Sequence, residues 1–271
     1  MEKKTIGEMS MAELPALVRR LVEEALEKEQ QEILGRPPSI ADLPQSSLRS
    51  YEDKPAVGLD INDLLAQLSK LRPIFHSEAD FQHALAWLLH EKFPDASIRL
   101  ELPFVLAEKA IHVDIWMTLA DIHYAIELKY KPHALSEVFS LNGEKYALRT
   151  HSAQDLGRYD FIKDICRIEQ IQAARKDVIG YAILLTNESL YWSGRNGRLR
   201  ETVDLQFRLD EGRELSGSLA WSSAASVGTI RGRENPLTVN GTYPLRWQDY
   251  SSIATPRHGK FRYLSVEMKP D

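Results

Sequence analysis

Between Ile111 and Lys131 the chain carries Asp114, Glu127 and Lys129, three ionisable residues whose types suit phosphate chemistry. Two carboxylates held close together repel, and one keeps a proton unless a cation lies between them. Carboxylate oxygens are hard ligands, and a pair of them completed by water and a substrate phosphate suits Mg²⁺ or Mn²⁺. Such an ion lowers the pKa of bound water and braces the charge on a transferring phosphate. A lysine beside it can orient that water or neutralise developing charge.

These residues meet only if the chain folds in one particular way. Read with period 2, Ile111–Lys131 is two strands around a short turn at Ala120 and Asp121. Ile111, Val113, Ile115 and Met117, then Ile122, Tyr124, Ile126, Leu128 and Tyr130, form one apolar face. His112, Asp114, Trp116, Thr118, His123, Ala125, Glu127 and Lys129 form the other. Pairing Leu119 with Ile122 sets Asp114 opposite Glu127 and His112 opposite Lys129, with Cβ atoms roughly 4.5–5.5 Å apart. Ala-Asp is a weak two-residue turn, since such turns prefer Asn-Gly, and a longer loop would keep the same faces. On an ordinary solvated face the same residues would simply form Glu–Lys and Asp–His cross-strand pairs.

Val113-Asp114 followed by Glu127-Leu128-Lys129 resembles the PD-(D/E)XK signature of the restriction-endonuclease-like nucleases, with Val113 where the family has proline. The resemblance implies an α/β core ordered helix, three strands, helix, strand, with a mixed sheet flanked by helices. It also implies that Asp114 and Glu127 bind Mg²⁺ or Mn²⁺ and that Lys129 is catalytic.

The flanking sequence supplies that order over about residues 76–187. Ser77 and Asp80 form a capping box for a helix from Glu78 to about Lys92, with Phe81, Leu85, Leu88 and Leu89 inward. Glu78 extends that stripe; it either complements the helix dipole or, as the resemblance implies, adds a third metal-facing carboxylate. Ile98–Phe104 is a first strand, and the hairpin follows. Residues 132–151 are an insertion with an Asn142-Gly143 hairpin. Lys131, Lys145, Arg149 and His151 there are either phosphate contacts or solvated side chains. Ser152 with Asp155 predicts a second capped helix, its stripe Phe161, Ile165 and Ile168 leading back to Arg158 and Gln154. Gln154 resembles the glutamine of the family's second core helix, although Tyr159 falls one residue later than in Gln-x3-Tyr; Arg158 is a further nucleic-acid contact. Val178–Thr186 is an apolar run fit for a strand buried on both faces.

Three regions result: an N-terminal helical arm and linker over 1–72, the nuclease-like core over 73–192, and a β-rich extension over 193–271. In the arm, Leu14, Leu17, Val18, Leu21, Val22, Ala25 and Leu26 stripe a helix over 11–34. It either packs on the body or pairs with a second copy as a homodimer. Ser39–Gly58 is linker-like, and Leu59–Leu71 is a short helix with Leu64, Leu65 and Leu68 apolar. In the extension, Val203–Leu209 and Phe261–Met268 alternate as strands, separated by turns at Asp210-Glu-Gly212, Asn235-Pro236 and Asn240-Gly241. These strands either enlarge the core sheet or form a small sandwich. Trp221, Tyr243, Trp247 and Tyr250 fill its core or, on the alternative reading, stack on bases.

Composition bounds the function. A net charge of −5 argues against a uniformly basic nucleic-acid binder but leaves room for a local basic groove. No apolar run approaches the ~20 residues that span a bilayer, so no membrane partner is expected. The N-terminus lacks an apolar signal core, and the one cysteine, Cys166, fits a reducing cytoplasm and a place in the core. No CxxC or HxxxH spacing, phosphate loop or nucleophile elbow competes. The expected protein is a cytoplasmic, Mg-dependent endonuclease acting on nucleic acid, DNA first. The alternative is an inactive nuclease-like module that binds protein or nucleic acid.

Overall fold

The computed structural model describes residues 58–106, 109–193 and 202–270. The expected arm helix over 11–34, nearly all of the linker and the turn at 194–197 lie outside the described residues. Within them the chain is an α/β protein, a mixed six-stranded sheet with three helices and two small two-stranded sheets.

Helix α1 (Ile61–Leu71) starts where the Asp60 carboxylate accepts the backbone N–H groups of Asn62 and Asp63 at 3.0 Å. Helix α2 (Glu78–Lys92) starts at Ser77, whose hydroxyl accepts Asp80 N–H at 3.1 Å. The return half of that capping box does not form: Asp80 instead accepts His76 N–H at 2.9 Å and pairs with Arg72 at 2.8 Å. Strands β1 (Ser97–Leu106), β2 (Lys109–Leu119) and β3 (Ile122–Tyr130) form an antiparallel meander. The small hairpin β4 (Phe139–Leu141) and β5 (Glu144–Tyr146) turns at Asn142-Gly143, as the sequence requires. Helix α3 (Gln154–Ala174) then crosses to β6 (Val178–Thr186), which pairs parallel to β3. The cap of α3 is Ala153 with no side-chain bond, not Ser152; Asp155 turns its carboxylate to Leu156 N–H at 2.9 Å.

The C-terminal third divides between both expected fates. Strands β9 (Trp247–Ser252) and β10 (Lys260–Met268) extend the main sheet, in the order β1-β2-β3-β6-β10-β9. Strands β7 (Glu214–Leu219) and β8 (Leu237–Pro244) form a separate antiparallel pair that packs with α3. Two expectations fail here. Val203–Leu209 is not a strand but holds a 3-10 turn at Leu205–Phe207, with Phe207 and Leu209 buried. Asn240-Gly241 is not a turn but lies inside β8.

The sheet has helices on both faces. Tyr124, Ile126, Leu128, Tyr181, Ile183 and Tyr263 pack under α1 and α2, with Leu65, Phe81 and Leu85. Ala182, Leu184, Leu264 and Val266 pack on the other face with Phe161, Ile165 and Ile168 of α3. Trp247 and Tyr250 are buried, and Trp221 and Tyr243 pack against the core, so these aromatics are core residues rather than platforms for bases.

The hairpin of β2 and β3 has the expected register from Leu119–Ile122 to Ile115–Ile126, but the expected Asp114–Glu127 and His112–Lys129 pairs do not form. Its two-residue turn holds Ala120 and Asp121 at φ +49° and +69°, a left-handed pair that normally selects Asn-Gly. One face assignment fails. Ile115 and Met117 join the α1–α2 side, but Ile111 and Val113 pack with Phe104, Trp116, Ala125, Ile171 and Val178. The cause is on β1: Glu101 has φ +51°, and the β1–β2 ladder skips the Glu101–Asp114 rung while keeping its register on either side. The meander changes face at that rung.

Candidate active site

Asp114 therefore sits at a break in two ladders. The β2–β3 pairing ends at Ile115–Ile126, one rung short of Asp114–Glu127, and the two strands splay apart. Splaying frees backbone N–H groups of β3 that β2 would have paired, and buried amides need acceptors. Leu128 N–H donates to Asp114 Oδ2 at 2.6 Å, and Tyr130 N–H donates to Glu78 Oε2 at 2.7 Å. Gln82 of α2 closes the wedge, its Nε2 donating to Asp114 O and to Glu101 Oε1, both at 2.7 Å. Two carboxylates from different elements thus flank the C-terminal half of β3 on the edge it no longer shares with β2, while β6 still pairs along its other edge.

Glu127 and Lys129 point to the α3 side, where two charged residues that the sequence reading missed meet them. Arg167 Nη1 donates to Glu127 Oε1 at 2.7 Å, and Lys129 Nζ lies 2.6 Å from Asp164 Oδ2. Arg167 Nη2 is also 3.6 Å from Asp164 Oδ1. Asp164 and Arg167 lie off the stripe of Phe161, Ile165 and Ile168 that defined the helix in sequence. The signal available was an Asp–Arg pair three residues apart, in line with the buried Ile171 of the same helix.

The electrostatics follow from burial. Asp114 is pushed up to about 6, first by burial and then by repulsion from Asp164 and Glu78, against the pull of Leu128 N–H and Lys129. Glu127, with 1% of its side chain exposed, is raised well above the usual carboxylate range by burial and by Asp164 and Asp114, with Arg167 opposing. Burial also raises Asp164, against Lys129 and Arg167. For Lys129, burial disfavours the charge, but Asp164, Glu78 and Asp114 outweigh it and raise its pKa, so the ammonium stays protonated. Four carboxyl groups (Glu78, Asp114, Glu127, Asp164) meet three basic side chains (Lys129, Lys131, Arg167), more acids than bases in one place.

The other expected residues divide. Lys131 lies at the margin of the cluster, its Nζ 4.0 Å from Glu78 Oε2. His151 is tied beside it through His151 N–H to Pro132 O at 3.1 Å. Lys145 and Arg149 are exposed on and after the small hairpin. Gln154 opens α3 ten residues before Asp164, about 15 Å away along the axis. Asp164 and Arg167, not Gln154, are the residues of that helix that meet the carboxylates and the lysine. Arg158 is not a nucleic-acid contact: it is buried, paired with Asp204, bonded to Leu190 O at 2.6 Å and set over the Tyr191 ring. Gly157 admits Tyr191, whose hydroxyl fills the space a Cβ would need; the close approach is by a side chain. Cys166 is buried, as expected of a core residue, and burial pushes its thiol up to about 12.

No family model, no curated protein and no solved structure matches this chain. Among the described residues, no three His, Cys, Asp or Glu side chains are arranged to hold a metal ion by themselves. Asp114 and Glu127 are the donors available to one, with Glu78 at the edge. Their upward shifts mark a place where a positive charge would be favoured. Mg²⁺ commonly takes one or two protein carboxylates and completes its shell with water and phosphate, so this donor set is of a fitting kind. Among the described residues no helix is long and apolar enough to cross a membrane.

Proposed function

We propose that this chain is a metal-dependent nuclease with a restriction-endonuclease-like core, hydrolysing phosphodiester bonds in DNA. The observation that carries this reading is the convergence of Asp114, Glu127 and Lys129 where β2 and β3 splay apart. The order α2, β1, β2, β3, α3, β6 supports it, being the order that the resemblance implies. Asp114 and Glu127 would hold Mg²⁺ or Mn²⁺. A divalent ion bound there supplies an acidified water and a counter-charge for the phosphate.

The chain's own groups do the rest. Lys129, kept charged and aimed by Asp164, is not a base; it orients water and offsets charge growing on the phosphate. Asp114 is fixed by Leu128 N–H, so its carboxylate is presented in one orientation. Lys131, at the open margin, steers the polyanion.

A second reading, a nuclease-like module that binds without cleaving, is favoured by one observation. Glu127 and Lys129 already have partners in Arg167 and Asp164. One assay separates the two readings. Plasmid, linear duplex and single-stranded DNA are incubated with Mg²⁺, Mn²⁺ or EDTA, using wild type and folded Asp114→Ala and Lys129→Ala variants. Cleavage that needs the metal and vanishes in both variants supports the enzyme. Activity that survives EDTA or Asp114→Ala removes the catalytic claim, and DNA retention without cleavage supports the module.

A further inference from the structure

We infer that Arg167 acts as an electrostatic latch, occupying Glu127 in the metal-free protein and competing with a divalent cation for that carboxylate. The inference rests on the metal-dependent reading above and adds a control element that the signature residues do not contain. A carboxylate with 1% of its side chain exposed needs a counter-charge, and Arg167 Nη1 supplies it at 2.7 Å. A cation shared by Asp114 and Glu127 would supply the same charge to the same carboxylate, and two cations at one carboxylate repel. Each therefore weakens the other's hold on Glu127.

The geometry identifies which group can move. The Asp164 side chain is 4% exposed and its pair with Lys129 has 16% exposure on the lysine, whereas Arg167 retains 23% exposure. Arg167 also has a second acceptor in Asp164 Oδ1, 3.6 Å from its Nη2. It can release Glu127 and remain paired with Asp164. The latch keeps a buried acidic centre folded while no ion is bound, and it sets the cation concentration at which the centre opens.

Calorimetric titration with Mn²⁺, without nucleic acid, tests this on the full chain in wild type, Arg167→Met and Arg167→Lys. Arg167→Met should bind Mn²⁺ at least about tenfold more tightly, the low end of coupling between close charge pairs. Arg167→Lys, shorter and lacking the fork, should fall between the two and keeps the test open if the methionine variant does not fold. Thermal melts should show a lower metal-free midpoint for Arg167→Met and a larger rise on adding Mn²⁺. Equal or weaker affinity in the variants overturns the latch while leaving the metal site standing. Absence of Mn²⁺ binding in all three proteins overturns the metal reading, and the latch with it.

Discussion

Two buried carboxylates lie against α3, Glu127 below it on the sheet and Glu169 on the helix itself, and they are satisfied in opposite ways. Glu169 faces β8 and accepts Asn240 N–H at 3.0 Å, Asn240 Nδ2 at 3.2 Å, Gly241 N–H at 2.8 Å and the Tyr243 hydroxyl at 2.9 Å. Its partners are neutral, and the two that are main-chain amides of β8 cannot leave without unfolding the strand. Glu127 has one charged side-chain partner, Arg167, and Asp164 and Asp114 raise its pKa by repulsion. Burial is common to both. What separates them is whether the neighbours are fixed neutral donors or mobile and competing charges.

Exchanging charge for amide at each site sharpens that contrast. On the proposed nuclease reading, Glu127→Gln should reduce DNA cleavage by roughly a thousandfold, the scale of losing a principal electrostatic group. Its folding stability should stay within about 1 kcal/mol, because Arg167 can turn to Asp164 or to solvent. Glu169→Gln should do the reverse, losing about 1–3 kcal/mol in urea unfolding while cleavage by the folded fraction persists. Similar profiles for the two variants would break the distinction.

A second prediction uses pH. Asp114 titrates near 6 in the folded chain, above its ordinary value of 3.8. Its ionised form is therefore disfavoured by folding. The group opposes folding fully above pH 6, by about 3 kcal/mol, and this opposition fades as pH falls through 6 towards 4. Asp114→Asn, which can still accept Leu128 N–H, should thus exceed wild type in metal-free stability at pH 8 and converge with it near pH 4. Denaturant midpoints across that range check this, and a pH-independent difference would refute it.

The smallest effect belongs to the closed end of the same hairpin. Ala120 holds φ +49° without being glycine or asparagine. Ala120→Asn should stabilise the fold by about 0.5 kcal/mol. Cleavage and Mn²⁺ affinity should not change if the turn and the splay are independent, and a shift in either would show that the turn sets the opening.

The two ends of the hairpin also show what was legible in sequence. Period 2 fixed which residues of β3 face which way, because all of Ile122, Tyr124, Ile126, Leu128 and Tyr130 must be buried together. Ser77 and the run Val178–Thr186 announced their elements through local chemistry. Ile111 and Val113 were misassigned because a left-handed residue on a neighbouring strand reverses the face, and no pattern within β2 records that. Asn240-Gly241 reads as a turn but lies within a strand because Glu169, 71 residues away from Asn240, accepts its amides. Asp164 and Arg167 lie between the members of the apolar stripe, and nothing local in the helix points to their partners on β3. In each case the deciding partner is distant in sequence, beyond what a local pattern records.

The left-handed backbone at Glu101 has one more effect. Strand β1 is an outer margin of the sheet, and long flat margins invite other chains to add on. At Glu101 that margin bends, and two residues later Pro103 has no N–H to offer a newcomer. What remains is two short lengths facing different directions, a poor template for fibril growth.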